Sequence, residues 1–470
     1  MVVKDDDINY FILYTITTMT NITKSTNTPE ISSLDNRDVK VLTQGEYPRK
    51  MAFEKPLSFV EQYEIKDIPY MFESKVPEWF TNDIAYWWWN MSDEEINETL
   101  PDWTRKLTHL ELDFGSTRCM MLCPHCFKSQ IEQHKKSEKR GMSLWELKNL
   151  ITEKFMLLWL KTIKICGPWE PFQNHELLPF LERAHNEWLW VSIFTKWYEI
   201  WNDEVVERIY WRYWIHTSEE LAKKLKELDV SILLWLNSFD PKKQKEFVWH
   251  WNDKLWEKYI RAQRNAMVQL INAWLNEFIP WQPTRLWISF APMKPEFLDD
   301  AFKLYEWARM RNIYPLGCPS NDSGDWKKEN ERVESKFNDY ENALVDFYIN
   351  VYIYNIESGI QSLDEFLKEW PSLYPWVHVC KQARTWWYMR LTDEGIYEMV
   401  SCPGHDPARK ELKIVEDVEK ATKEEIAELW RNSWNANRWK YFCIARSWIT
   451  LSTDFPSKIV EGVKKYFNVK

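Results

Sequence analysis

Leu110-Glu111-Leu112-Asp113-Phe114 is followed closely by Arg118-Cys119-Met120-Met121-Leu122-Cys123-Pro124-His125-Cys126-Phe127. The first run alternates apolar and acidic residues, which is the period of a strand. The second places three cysteines within eight residues, spaced C-x3-C-x2-C. Thiolates that close can wrap one corner of a small metal cluster. Cysteine thiolates are the usual ligands of iron–sulfur clusters, which normally take four. A loop that supplies three leaves one iron open to a ligand or substrate. The same cysteines with His125 also make a Cys3His set, a known structural zinc site. Disulfides are not expected, because the chain begins without a basic, apolar and small-residue leader, so a reducing cytoplasm is the expected compartment.

Outward from this loop, strand and helix signals alternate. Strands are expected at Leu110–Phe114, Ile163–Cys166, Val191–Thr195, Ser231–Leu236, Arg285–Phe290 and Asn312–Leu316. Helices are expected near 142–160, 174–188, 218–228, 241–275 and 295–311. Alternation of this kind predicts an α/β fold with a parallel sheet. Six such units suit a partial (β/α)6 TIM-like barrel, whose sites gather at the C-terminal ends of the strands. The cysteine loop follows the first strand and therefore belongs at that face. The expected organisation is an N-terminal extension over 1–105, partly disordered, a barrel over 106–325, a helical linker over 326–375 and a small cysteine-containing domain over 376–470.

Net charge is −10 with a pI near 5.6, so nucleic-acid binding through a basic surface is not indicated. No run of 18 or more apolar residues occurs, so no membrane span is expected. The clustering of cysteines suits metal binding better than a disulfide framework.

The C-x3-C-x2-C loop resembles the signature of the radical S-adenosylmethionine (SAM) enzymes. The second strand carries a further resemblance, ending in Ile165-Cys166-Gly167-Pro168-Trp169-Glu170-Pro171-Phe172. The family has a Gly-Gly-Glu-Pro-type run there, which Gly167, Glu170 and Pro171 match while Trp169 stands at a glycine site. The resemblance covers about 108–320. It implies that Cys119, Cys123 and Cys126 hold a [4Fe–4S] cluster, with SAM on the open iron and His125 by the adenine. It also implies that Gly167, Glu170 and Pro171 meet the SAM methionine, and that Asn237 and Ser238 after the fourth strand meet the ribose. Ser238 or Asp240 can instead cap the next helix. Thr195 and Cys318, in Gly317-Cys318-Pro319, are weaker candidates at the same mouth. A reductant such as ferredoxin or flavodoxin is implied.

The tail holds Cys380, Cys402 and Cys443, with His405 nearby and a turn signal at Asp393-Glu394-Gly395. It loosely resembles the SPASM or twitch auxiliary-cluster tails of radical SAM peptide modifiers, though it lacks their tight cysteine pairs. A second iron–sulfur cluster there implies a peptide or protein substrate. Inert tail thiols leave a small metabolite or an RNA base. A non-enzymatic zinc or electron-transfer protein is the third class.

One compositional fact stands apart. The chain has 31 tryptophans and only 10 glycines, whereas glycine usually makes up about 7% of a protein. Trp188 follows the helix-like run ending His185-Asn186-Glu187, where a residue at positive φ is favoured. Trp197 follows an apolar strand-like run, Trp281 follows Pro280, and Trp169 occupies the glycine site already named. Many of these tryptophans are therefore expected to be UGA codons meant as glycine.

Overall fold

The computed structural model describes residues 106–107, 109–113, 143–166, 170–196, 201–247, 253–277, 284–290, 293–317, 337–369, 386–392, 395–400, 413–437 and 454–469. The N-terminal extension expected over 1–105 lies outside the described residues.

Six strands pair in chain order: β1 (His109–Leu112), β2 (Thr162–Ile165), β3 (Trp190–Thr195), β4 (Ser231–Trp235), β5 (Leu286–Phe290) and β6 (Tyr314–Gly317). Every neighbouring pair among them is parallel. The connections carry α1 (Leu144–Phe155), α2 (Leu177–Asn186), α3 (Asp203–Tyr210), α4 (Ser218–Glu227), α5 (Pro241–Phe247), α6 (Asp253–Asn272) and α7 (Leu298–Arg309). Right-handed crossovers that always advance in one direction place all helices on one face. The other face then curves in on itself, and the expected partial barrel results.

Burial shows the two faces separately. Ile163, Ile165, Ile193, Ile232, Leu234, Leu286 and Ile288 join the large core beneath the helices. Leu233, Trp287, Tyr314 and Leu316 form a second cluster, with Phe194 packed against it. These inward residues sit in register, since Phe194 pairs Leu233, Leu233 pairs Trp287 and Trp287 pairs Tyr314. The two-residue period of a strand sorts adjacent side chains onto opposite faces.

Helix starts are encoded locally. Ser143 Oγ accepts from the Glu146 amide while Glu146 accepts from the Ser143 amide, and Thr217 and Glu220 make the same reciprocal pair for α4. Such capping boxes satisfy two orphan donors at each helix start.

After β6 come α8 (Phe337–Glu357), α9 (Leu363–Glu369), β7 (Trp386–Leu391), β8 (Tyr397–Val400), β9 (Lys413–Val415), α10 (Lys423–Asn437) and α11 (Phe455–Tyr466). β7 pairs parallel with β1, and β8 and β9 follow antiparallel, so the tail extends the same sheet to nine strands. The turn signal at Gly395 is the β7–β8 connection, where Gly395 has φ 81°. Among the described residues no helix is long and apolar enough to cross a membrane.

Candidate functional site

Each parallel strand ends at one mouth, and the register keeps those ends level: Leu112 pairs Ile165, Ile165 pairs Ile193 and Ile193 pairs Ile232. The chain leaves β1 at Asp113 and returns at Ser143, so the segment bearing Cys119, Cys123, His125 and Cys126 departs from this mouth. Those four residues lie outside the described residues, as do Gly167, Trp169, Cys318, Cys380, Cys402, His405 and Cys443. What can be tested is the donor set. Soft thiolates at this spacing suit an iron–sulfur cluster.

Glu170 is the best-defined residue of the mouth. It is buried, and its carboxylate accepts from Thr195 Oγ1 at 2.7 Å, the Lys196 amide at 3.0 Å and the Phe172 amide at 3.4 Å. It thus ties the segment after β2 to the end of β3. Pro171 begins a short 3-10 turn, Pro171–Gln173, for which Glu170 is the N-cap. Tyr210 of α3 donates to the Phe172 carbonyl at 2.7 Å and braces that turn from behind. Thr195 enters as an anchor of Glu170.

Burial pushes the Glu170 carboxyl up to about 7, against the pull of its three donors and of Lys196. Its ordinary value is 4.5, so its proton is bound more tightly in the folded state than in the unfolded one. Below pH 4.5 the group is neutral in both states and its contribution to stability is intact; that contribution is lost as pH rises through 7. The full loss is about 3 kcal/mol. Glu170→Gln removes the ionisation while keeping an acceptor. Urea unfolding at about pH 4 and about pH 8 should show a stability difference about 3 kcal/mol smaller in the variant. Equal pH dependence in both proteins would contradict this account of Glu170.

Asn237 and Ser238 follow β4 and are buried. Gln244 of α5 accepts from both of their amides, at 2.9 and 3.1 Å. Ser238 Oγ accepts from the Asp240 amide at 3.0 Å and donates to Asp300 Oδ1 at 3.1 Å. Asp240 Oδ1 accepts from the Lys242 amide at 2.8 Å, at the start of α5. The structure therefore brings Glu170 and Thr195 together, and sets Asn237 and Ser238 in a separate turn at the end of β4.

The inner wall has a polar half that sequence reasoning missed. His109 Nδ1 lies 2.6 Å from Thr162 Oγ1, and Lys164 lies 2.6 Å from Glu111 with both side chains nearly buried. Tyr388 pairs Glu111 across β1 and β7, and Arg390 is paired with Glu398. Burial, with Lys164 nearby, holds His109 well below its ordinary value, so its imidazole is neutral. The signal was readable: His109-Leu110-Glu111-Leu112 and Thr162-Ile163-Lys164-Ile165 alternate polar and apolar residues, with opposite charges in register. A partly open pocket lined by His109, Thr162, Lys164, Ser192, Arg285 and Trp287 lies toward the strand N-termini, at the other end from Glu170. In barrels of this kind that end serves stability, and the mouth carries the chemistry.

No family model matches the chain. No curated protein matches it. Among solved structures it is similar to Streptococcus suis SuiB bound to precursor peptide SuiA, at 13% identity and TM-score 0.40, over 72% of this chain and 67% of that one. It is similar to native anSMEcpe with bound AdoMet, at 11% identity and TM-score 0.44, over 76% of this chain and 96% of that one. A third is HydG, a maturase of the [FeFe]-hydrogenase, at 12% identity and TM-score 0.32, over 68% of this chain and 64% of that one. These neighbours are radical SAM enzymes.

Proposed function

We propose that the chain is a radical SAM enzyme that holds a [4Fe–4S] cluster on Cys119, Cys123 and Cys126. The observation that carries this reading is topological. A three-cysteine loop leaves the first strand of a sequential parallel sheet, and the Gly167–Pro171 run leaves the strand beside it. When bound, the cluster and SAM supply reductive cleavage of the C5′–S bond and a 5′-deoxyadenosyl radical that takes hydrogen from a substrate.

The protein contributes binding, orientation and exclusion of water. Cys119, Cys123 and Cys126 would hold the cluster, and three protein ligands would leave SAM to complete it. Glu170, fixed by Thr195 and Lys196, anchors the start of the Pro171–Gln173 turn beside the end of β3. His125 is assigned to the adenine side. The buried Glu111–Lys164 pair gives the inner wall fixed charges without a net charge of its own.

A peptide or protein is the substrate class this reading favours, and it rests on Cys380, Cys402 and Cys443 holding a second cluster. A small metabolite or an RNA base is the class left if those thiols are inert. The electron comes from a reductant of the ferredoxin or flavodoxin kind. The test is anaerobic reconstitution with iron and sulfide, followed by dithionite and SAM, on the chain as written and on Trp169→Gly. 5′-Deoxyadenosine and methionine are the expected products. Bound zinc without sulfide would overturn the proposal, as would a full cluster with no SAM cleavage by Trp169→Gly.

A further inference from the structure

Among the described residues, seven other than glycine have positive φ, and four of them are tryptophans: Trp159 at 72°, Trp188 at 60°, Trp214 at 60° and Trp274 at 62°. The other three are Asp229, Asn312 and Asn468. Asn and Asp visit the left-handed region because their short polar side chains bond locally, and glycine does so because it has no Cβ. A bulky residue there is an outlier.

The hydrogen bonds show what these positions are. At the end of α2 the Trp188 amide donates to the His185 carbonyl and the Leu189 amide to the Ala184 carbonyl. At the end of α6 the Trp274 amide donates to Ile271 and the Leu275 amide to Leu270. This pairing is the Schellman ending, whose left-handed residue is usually glycine. The chain uses the same ending elsewhere with residues suited to it. After α8 the Gly359 amide donates to Ile356 and the Ile360 amide to Asn355, with Gly359 at φ 74°. Asp229 after α4 and Asn312 after α7 repeat the pattern. Trp159 and Trp214 are left-handed caps of short 3-10 turns. Short connections from a helix to a strand call for glycine at that cap, and Trp159 and Trp188 sit in such connections.

The side chains agree. Trp188 is 89% exposed, Trp214 85% and Trp274 60%. Trp159 is 37% exposed, with Lys106 over its ring. A tryptophan is ordinarily useful for the large area it buries. Trp307, Trp387 and Trp430 behave that way: they are fully buried, and Trp387 and Trp430 meet edge to face at 5.0 Å. An indole displayed for docking on a partner or membrane needs no left-handed backbone, so docking does not explain these four.

We propose that Trp159, Trp188, Trp214 and Trp274 stand where the native protein carries glycine, the codons being UGA decoded as glycine in the source cell. The proposal rests on backbone geometry and does not depend on the enzymatic reading.

Two experiments test it. Peptide mass spectrometry of the protein from its own cell should find glycine at 159, 188, 214 and 274; tryptophan there, or UGG in the gene, overturns it. For the chain as written, glycine at each of the four sites should raise the thermal midpoint by about 2 °C, from relief of the left-handed backbone. Alanine at the same sites removes the indole and keeps Cβ, so it should give little of that gain. Equal gains from glycine and alanine would show that the exposed indole, not the backbone, was the cost, and would remove the geometric argument.

Discussion

Alanine at any one of Cys119, Cys123 or Cys126 is expected to abolish SAM cleavage, not merely slow it. With two thiolates the loop no longer supplies the minimum set for a site-differentiated cluster, and an iron–sulfur cluster normally takes four ligands in all. 5′-Deoxyadenosine should fall to the level of a reaction without enzyme. The three variants should be alike, because each removes one corner of the same cluster. The fold should survive. The sheet is built from strands that start at His109, and its core residues on β1, Leu110 and Leu112, lie outside the loop. Unchanged far-ultraviolet circular dichroism is thus the accompanying expectation. Iron and sulfide content then separates the substrate classes. Iron retained at reduced stoichiometry in all three variants would place a second cluster elsewhere, with Cys380, Cys402 and Cys443 as its candidate ligands. Complete loss of iron from well-folded variants would remove the second cluster and the peptide reading that rests on it. A variant that still yields 5′-deoxyadenosine would contradict the ligand assignment itself.

The barrel was legible because its strands carry their signal in short apolar runs. Ile163-Lys164-Ile165 and Ser231-Ile232-Leu233-Leu234-Trp235 read as strands and are strands, within a residue or two at their ends. The helix boundaries were less legible, and the reason lies in particular residues. Of the helix expected over 241–275, α5 (Pro241–Phe247) and α6 (Asp253–Asn272) are described, and 248–252 lie outside the described residues. α3 was missed because it is short and its N-cap Asn202 follows Trp201, a buried aromatic packed against Phe172 where a turn residue would announce a helix start. The pairing of β7 with β1 was not legible at all. Parallel pairing between distant segments depends on the assembled sheet edge, which no local pattern announces. At the site, Glu170 was legible as a residue and not as a device. Its partners Thr195 and Lys196 lie on another strand, and only the register of β2 and β3 brings them within reach.

The same reasoning makes Trp169 the most consequential single position. Gly167, Pro168 and Trp169 lie outside the described residues, but both of their neighbours are fixed. The Cys166 amide donates to the Leu112 carbonyl at 2.9 Å, and Glu170 is held by Thr195 and Lys196. In the proposed function this span approaches the SAM methionine closely, and close approach of backbone to ligand is a use of glycine. Overfilling a well-packed site costs about 1–3 kcal/mol. Trp169→Gly should therefore tighten SAM binding to the reconstituted protein by about 10- to 100-fold, a decade being about 1.4 kcal/mol. 5′-Deoxyadenosine yield should rise with it. Trp169→Ala should fall between the two, because it sheds the indole and keeps Cβ. The cluster's absorbance should be the same in all three proteins, since no cysteine has changed, and this separates a ligand effect from a metal effect. Unaltered SAM affinity in Trp169→Gly with a full cluster would refute the placement of this run against the ligand. The glycine assignment at 159, 188, 214 and 274 would stand, because it comes from backbone geometry at the far ends of helices and owes nothing to SAM.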